Sequence, residues 1–230
     1  MKIMWVGQAG FIVEASGGSL AVDPFYGTAK GNSERLYPPE KCNIKVDMVL
    51  SSHAHWDHFD PETYSDYVIP QAIVGPGTVM KELGESGLGI EGIKLDRREV
   101  VERCGFKITA TMADHDVDSI GFIVETDGYK LYFSGDTLMT TRMLLPNINM
   151  RPDIAFICIN GKLGNMNAYE AAGYCKALGT KVGVPTHYDL IKHNTEDPGS
   201  FTGALSRMAP DVKAVVLKRG DWYTAAELLN

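Results

Sequence analysis

Short apolar runs separated by polar, glycine-bearing turns recur along the whole chain, and this pattern predicts a protein rich in β-strands. Runs of this length that end at glycine, proline or small polar residues are typical of strands. The pairs Gly17-Gly18 and Asp127-Gly128 predict hairpin turns between neighbouring strands. We predict strands over residues 3–14, 19–23, 46–52, 72–75, 93–95, 106–113, 120–126, 129–133, 153–159, 181–185 and 212–217.

Helix signals follow each group of strands. Pro61 stands where a helix begins, and a further helix is expected near residues 201–208. Asn167 and Glu170 have the spacing of a capping box that opens a helix through Ala177. Two groups of strands, each followed by helices and joined without a low-complexity linker, predict an α/β fold. We expect a two-sheet sandwich flanked by helices, in one domain that spans residues 1–230.

The composition of the chain restricts which binding partners and which cellular compartment we expect. The chain has 230 residues, of which 44% are hydrophobic, and a formal net charge of -7. A long nucleic acid needs a basic groove, so the acidic balance argues against that partner. No stretch reaches the ~18 consecutive apolar residues that would span a membrane. The apolar run after Lys2 is interrupted at Gly7-Gln8, which favours a first strand over a signal peptide. The four cysteines are widely spaced, so we expect reduced thiols and a cytoplasmic protein.

The hexapeptide His53-Ala-His55-Trp56-Asp57-His58 is the densest chemical feature of the chain. It holds three of the six histidines and follows a predicted strand, so a sheet edge can present its side chains to a cleft. His53 and His55 are two residues apart and share one side of an extended segment. Asp57 and His58 are adjacent and diverge, which suits a second site beside the first. We therefore predict a binuclear metal site.

Three further candidates occupy the same kind of position. His115, Asp136 and His187 each lie at the end of a predicted strand, beside small residues. A single cleft at one edge of the two sheets would bring them to the hexapeptide. They would then supply the ligands that the hexapeptide lacks.

The order His-x-His-x-Asp-His, then His115, then Gly135-Asp136-Thr137, then His187 resembles the metallo-β-lactamase superfamily. The resemblance implies an αββα sandwich of two mixed β-sheets flanked by helices, with two divalent metal ions at its edge. It assigns His53, His55 and His115 to the first ion, assigns Asp57, His58 and His187 to the second, and places Asp136 between both. Imidazole and carboxylate ligands without thiolate suit Zn²⁺ or Mn²⁺, with Fe²⁺ as a further candidate.

This ligand set implies hydrolysis. A water between two divalent ions is acidified towards neutral pH and becomes a hydroxide nucleophile. Asp57 and Asp136 are the expected catalytic carboxylates, and Asp57 can both ligate and accept the proton of the nucleophile. A metal-binding sensor or scaffold without turnover is a function of a different class. The presence of both Asp57 and Asp136 argues against it.

Three stretches resemble the L-ascorbate-6-phosphate lactonase group, at residues 5–11, residues 22–28 and His187-Tyr188-Asp189. This resemblance implies a lactone or ester of a small anionic sugar-derived molecule as substrate. The chain differs from those lactonases in its shorter length and in Gln8. Phosphodiester hydrolysis is the alternative enzyme function.

Several polar residues are candidates for substrate contact. Trp56 lies within the hexapeptide, and Tyr188 and Asp189 follow a proposed ligand. His193 is off the ligand pattern. A homo-oligomer is compatible with the sequence. Solvated charges or helix capping explain the remaining loop residues at least as well; these are Lys30, Arg35, Arg142, Lys162, Asn160, Asn165 and Asn167.

Overall fold

Two seven-stranded β-sheets with flanking helices form the structure, a computed structural model that describes residues 1–40 and 42–230. The first sheet contains the strands β1 (Lys2–Gly7), β2 (Gly10–Ala15), β3 (Gly18–Val22), β4 (Ile44–Leu50), β5 (Val68–Gly75), β6 (Glu91–Lys94) and β14 (Trp222–Thr224). The second contains β7 (Val100–Arg103), β8 (Phe106–Met112), β9 (Ile120–Thr126), β10 (Tyr129–Phe133), β11 (Ile154–Cys158), β12 (Val182–Thr186) and β13 (Lys213–Ala214).

Both sheets are mixed, as the sequence predicted. The first has the order β14-β1-β2-β3-β4-β5-β6, antiparallel from β14 to β3 and parallel from β3 to β6. The second has the order β13-β12-β11-β10-β9-β8-β7, parallel from β13 to β10 and antiparallel from β10 to β7. In the first sheet β1, β3 and β4 therefore run in one direction, and in the second β8, β10, β11 and β12 do.

The helices cover the sheets and begin at side-chain caps where the sequence offers them. Asn167 and Glu170 form the predicted capping box, and Asp60 caps the helix that begins at Pro61. The helices are α1 (Pro61–Asp66), α2 (Gly77–Ser86), α3 (Thr141–Asn147), α4 (Ala168–Leu178), α5 (Pro198–Met208) and α6 (Ala225–Leu229). No helix among the described residues is long and apolar enough to cross a lipid bilayer.

Aromatic side chains fill the space between the sheets. Phe11 of β2 contacts Phe156 of β11 at 4.5 Å between ring centroids and Phe133 of β10 at 5.5 Å. Phe133 and Phe156 stack on each other at 4.6 Å. All three rings are buried, so this cluster ties the two sheets together through apolar surface removed from water.

One predicted strand is wrong in a way that matters for the site. Residues 3–14 form two strands, β1 and β2, separated by a tight turn at Gln8 and Ala9. Gly7 and Gln8 have φ values of 109° and 52°, the left-handed region that ends an extended strand. Gly7-Gln8 interrupts the apolar run, but apolar residues stand on both sides and the turn is buried, so the pattern was interpreted as a single strand.

Other differences lie at sheet edges and in amphipathic segments. The strand expected over residues 212–217 is reduced to β13, which pairs only at Lys213 and Ala214. The helices α2 and α3 and the edge strands β7 and β14 were not predicted from the sequence. The edge strands β7 and β14 are four and three residues long and have no fully buried residue, so each leaves a weak apolar pattern.

Replacing Phe156 with alanine should lower the free energy of unfolding by ~3–5 kcal/mol, because it leaves a cavity beside the buried rings of Phe11 and Phe133. Urea unfolding measures this change. Leu145→Ala is the control, since Leu145 is 64% exposed and its removal should change stability by less than ~0.5 kcal/mol. Equal effects of the two substitutions would contradict the central role of the aromatic cluster.

Candidate metal centre

The candidate residues lie at one edge of the sandwich, where strands of common direction end. The hexapeptide follows β4, while His115, Asp136 and His187 follow β8, β10 and β12. The hexapeptide is a turn rather than the extended segment expected from the sequence. Backbone N–H groups of His58 and Phe59 both donate to the carbonyl of His55, at 2.9 and 2.8 Å. Although the segment is not extended, the rings of His53 and His55 lie next to each other.

Three histidines form the first group of potential ligands, which we call the three-histidine group: His53, His55 and His115. His53 Nε2 lies 3.0 Å from His55 Nδ1, which lies 3.3 Å from His115 Nε2. One nitrogen from each ring falls within 4.8 Å of the other two. Asp116, an exposed residue, approaches His115 Nε2 to 3.1 Å from the solvent side.

Asp57, His58 and His187 form a second group, which we call the mixed group. His58 Nε2 lies 3.4 Å from His187 Nε2 and 4.0 Å from Asp57 Oδ2. His187 Nε2 lies 3.6 Å from the same carboxylate oxygen. All three side chains are buried.

Asp136 lies between the two groups. Its Oδ1 is 3.3 Å from His58 Nε2, and its Oδ2 is 3.2 Å from His187 Nε2 and 4.0 Å from His115 Nε2. Asp136 also forms a compact set with His53 and His58. This arrangement places one carboxylate within reach of both groups.

Buried hydrogen bonds fix the orientation of two of these rings. His58 Nδ1 lies 2.9 Å from Asp23 Oδ2, and Ser52 holds Asp23 through its backbone N–H and its hydroxyl, each at 2.7 Å. His115 Nδ1 lies 3.2 Å from the carbonyl of Gly164, where a Cβ atom would be only 2.9 Å from that nitrogen. In both rings Nε2 is left to face the cluster, the usual arrangement of a metal-binding histidine.

Gln8 is a site residue that sequence reasoning did not select. Its side-chain Nε2 donates to Asp57 Oδ2 at 3.0 Å. Its backbone carbonyl accepts from the backbone N–H of His187 at 2.8 Å. Asp23 was missed in the same way. Both follow strands, β1 and β3, that run in the direction of β4. A search for polar residues directly after every strand that runs in the direction of β4 would have identified both Gln8 and Asp23.

Backbone strain is concentrated at this edge. Gln8, Asp23 and His187 have φ values of 52°, 39° and 63°, which residues with a Cβ rarely adopt. Each such residue costs of order 1–3 kcal/mol and persists only where its surroundings hold it. Strain of this kind at three strand ends supports a functional assignment for this edge.

Burial favours the neutral, metal-binding form of His53 and His55 in the three-histidine group. It lowers the pKa of His53 well below its ordinary value, and the neighbouring His58 lowers that pKa further. Burial and His115 lower the pKa of His55. A neutral imidazole offers a free lone pair, which a metal ion requires.

For Asp136 and for His58 of the mixed group, neighbouring opposite charges determine the direction of the pKa shift. Burial would raise the pKa of Asp136, but His187 and His58 hold it well below its ordinary value. Burial would lower the pKa of His58, but Asp136, Asp23 and Asp57 outweigh it and raise that pKa well above the ordinary value. Nearby charges therefore outweigh the cost of burial in this pair.

The donor set fits divalent metal ions. Imidazole nitrogens face one another at 3.0–3.4 Å, although two such nitrogens attract only when one of them carries a proton. A cation between the rings and carboxylates satisfies all of these lone pairs together. Ligands limited to imidazole and carboxylate are those of Zn²⁺, Mn²⁺ and Fe²⁺ sites.

The candidate substrate residues are spread around this edge. Trp56 is partly buried and packs edge-on against Phe25, with ring centroids 5.1 Å apart. Tyr188 is buried and stacks on Trp5 at 4.8 Å. His193 is exposed, and its carbonyl accepts a hydrogen bond from a lysine.

Asp189 and Tyr188 line a cavity of about 660 Å³ together with Lys218 and Arg219. Asp189 accepts a hydrogen bond from Tyr37 at 2.6 Å. Among the described residues it makes no hydrogen bond to the His187 ring.

The loop residue Arg35 is held within the protein rather than free in the cleft. Its guanidinium donates to the carbonyl of Gly27 at 3.1 Å and lies 4.9 Å from the ring centroid of Phe25. Asn167 acts as the cap of α4, as expected.

Known proteins match the chain over most of its length. The sequence profile of the family described as a beta-lactamase superfamily domain matches residues 2–187. A UPF0173 metal-dependent hydrolase of Archaeoglobus fulgidus is 30% identical, with 97% of this chain and 98% of that protein covered. Another, of Methanopyrus kandleri, is 26% identical and covers 97% of this chain and 99% of that protein.

A solved structure has the same fold. Igni18, a metallo hydrolase from Ignicoccus hospitalis, aligns with a TM-score of 0.75 and 24% identity, covering 96% of this chain and 97% of that one. The profile match and the Archaeoglobus relative extend through the hexapeptide, His115, Asp136 and His187. The chain therefore belongs to the metallo-β-lactamase superfamily, and within it to the family of UPF0173 metal-dependent hydrolases.

Proposed function

We propose that this chain is a hydrolase that uses two divalent metal ions to open a lactone or ester of a small, anionic, sugar-derived substrate. The observation that carries the proposal is the position of Asp136, which lies within 4.0 Å of ring nitrogens from both groups. The three-histidine group would hold one ion, the mixed group the other, and Asp136 both. Relatives named metal-dependent hydrolases support this reading.

The ions, when bound, acidify a water molecule and polarise the attacked oxygen. Proton transfer and the orientation of the ligands depend on side chains of this chain. With Asp57 Oδ2 facing the other residues of the mixed group, Oδ1 is left to accept the proton of the attacking water and return it to the leaving oxygen. Asp23 orients His58 through Nδ1, and Gly164 orients His115. Such fixed orientation matters because small displacements at the reacting atoms cost large factors in rate.

The proposed substrate class is based on a resemblance in the sequence. Stretches at residues 5–11, 22–28 and 187–189 resemble lactonases that act on a phosphorylated sugar acid. Lys218 and Arg219 line the cavity beside Tyr188 and suit a phosphate or carboxylate, but Asp189 and Glu196 line it too, and none of the proposed metal ligands does. The net charge of -7 argues against a long nucleic acid as substrate.

A panel of lactones, carboxylic esters and phosphodiesters, assayed with and without chelator, tests the reaction. Chelator-sensitive lactone or ester hydrolysis is the expected result. Cleavage of phosphodiesters alone would replace the proposed substrate class while retaining the metal site. Metal-loaded protein without hydrolytic activity on any class would favour a metal-binding protein that does not turn over substrate.

Replacing His53 with alanine should remove bound metal, because His53 belongs to two of the three compact ligand sets. Elemental analysis should find two ions per wild-type chain and fewer than two in the variant. His193→Ala is the matched control and should retain both ions, since His193 is exposed and outside all three sets. Two ions in the His53 variant would reject this ligand set.

Asp57→Asn should lower kcat by ~10²–10⁴-fold, the usual contribution of a positioned proton acceptor. The amide keeps one oxygen for the metal, so metal content should stay close to that of the wild type. Steady-state kinetics and elemental analysis on the same preparation separate the two effects. Unchanged turnover would exclude Asp57 as the proton acceptor.

Asp23→Asn should weaken metal binding by ~10- to 100-fold, because the carboxylate that orients His58 becomes neutral. Asparagine tolerates the left-handed backbone at this position, so the fold should persist. Asp47→Asn serves as the control, since Asp47 accepts from Ser19 and Gln71 and touches no candidate ligand. Equilibrium dialysis against a metal buffer measures both, and similar affinities would show that Asp23 does not act on the metal.

A further inference from the structure

One amide side chain lies among the proposed ligands of the second ion. Gln8 is fully buried in the turn between β1 and β2. Its Nε2 lies 3.0 Å from Asp57 Oδ2 and 3.3 Å from His187 Nε2, and those two atoms are 3.6 Å apart. Ligand atoms ~2.1 Å from one ion are roughly 3.0–3.4 Å from one another. The end of the Gln8 side chain therefore forms, with two proposed ligands, a triangle of the size expected around one cation.

The oxygen of the same amide is unused by the protein. Gln8 Oε1 is buried and has no hydrogen-bond partner among the described residues. The two ends of an amide have nearly the same shape, and a half-turn about the last side-chain bond exchanges them. This exchange breaks no hydrogen bond at Oε1, but it gives up the hydrogen bond from Nε2 to Asp57 Oδ2, which coordination of one cation by both oxygens would replace. After the exchange, Oε1 occupies the corner of the triangle that Nε2 held before. The oxygen is the end of the amide that is favourable beside a cation.

We propose that Gln8 Oε1 is a ligand of the second metal ion, alongside Asp57, His58, His187 and the shared Asp136; this rests on the proposed ligand set. The second position then has three oxygen donors and two imidazoles. The first has three imidazoles and one carboxylate. Zn²⁺ prefers four ligands rich in nitrogen, whereas Mn²⁺ takes more oxygen donors. Gln8 thus shifts the preference of the second position towards Mn²⁺ relative to the first position, whose ligands suit Zn²⁺.

Two substitutions at Gln8 separate ligation from simple hydrogen bonding to Asp57. Gln8→Met keeps the length and shape of the side chain and removes the amide oxygen. Gln8→Glu keeps an oxygen at the same place but cannot donate to a carboxylate. If Gln8 ligates, the methionine variant loses Mn²⁺ affinity at the second position and the glutamate variant retains it. If Gln8 only donates to Asp57, the glutamate variant is the weaker binder, because two carboxylates then face each other.

The measurement is a titration of metal-free protein with Mn²⁺, followed by the electron paramagnetic resonance of the free ion. We expect the second Mn²⁺ to bind ~10-fold or more weakly to Gln8→Met, since even outer partners of a ligand contribute about that factor. Zn²⁺ binding at the first position should not change. Gln71→Met and Gln71→Glu are matched controls, because Gln71 is an exposed glutamine that also donates to an aspartate.

Retained affinity in Gln8→Met, or a loss in Gln8→Glu as large as in Gln8→Met, overturns the assignment of Gln8 while the two-ion proposal stands. A wild-type chain that binds fewer than two ions overturns the two-ion proposal and Gln8 ligation with it. If a variant does not fold, a crystal of the Mn²⁺-loaded wild type decides. Gln8 Oε1 within ligand distance of the ion supports the proposal, and Gln8 outside that distance rejects it.

Discussion

The packing of the two sheets against each other is the constraint on which the metal centre depends. One sheet supplies the hexapeptide after β4, and the other supplies His115, Asp136 and His187 after β8, β10 and β12. Neither sheet alone holds a complete ligand group. The aromatic contacts of Phe11 with Phe133 and Phe156 fix the separation of the sheets, and hence the distances among ligand atoms. Because a close-packed interior resists compression, those distances are fixed before any ion binds.

Gathering these side chains is costly for the protein itself. Four imidazoles and two carboxylates are buried within a few ångströms, and three strand ends are held in left-handed backbone conformations. Buried charges are tolerated only when they are paired, as Asp136 is with His58 and His187. Rigid sheets on both sides supply the stability that the centre lacks. Local strain and crowding at a strand-end cleft are therefore expected of a functional site and not of a structural one.

Much of the fold was accessible from local patterns. The strands β9 and β10 and the hairpin at Asp127-Gly128 match the predicted bounds, because alternation and turn residues agree there. The turn at Gln8 was missed because it is buried and only two residues long, with apolar residues on both sides, so residues 3–14 were interpreted as one strand. Edge strands such as β7 and β14 carry little apolar signal, because one face of each meets solvent. Their existence depends on the neighbours that they pair with, which no short window contains.

The sequence by itself determined the chemistry of the centre, since the ligand types at the hexapeptide, His115, Asp136 and His187 are fixed by residue identity and by position after strands. Only the tertiary structure decided which of these atoms lie close together, and that Gln8 and Asp23 lie beside them. Gln8 is 49 residues from Asp57 and 179 from His187, so no local pattern relates them. Strand direction and the sheet-to-sheet distance relate them instead, and these are properties of the packed chain.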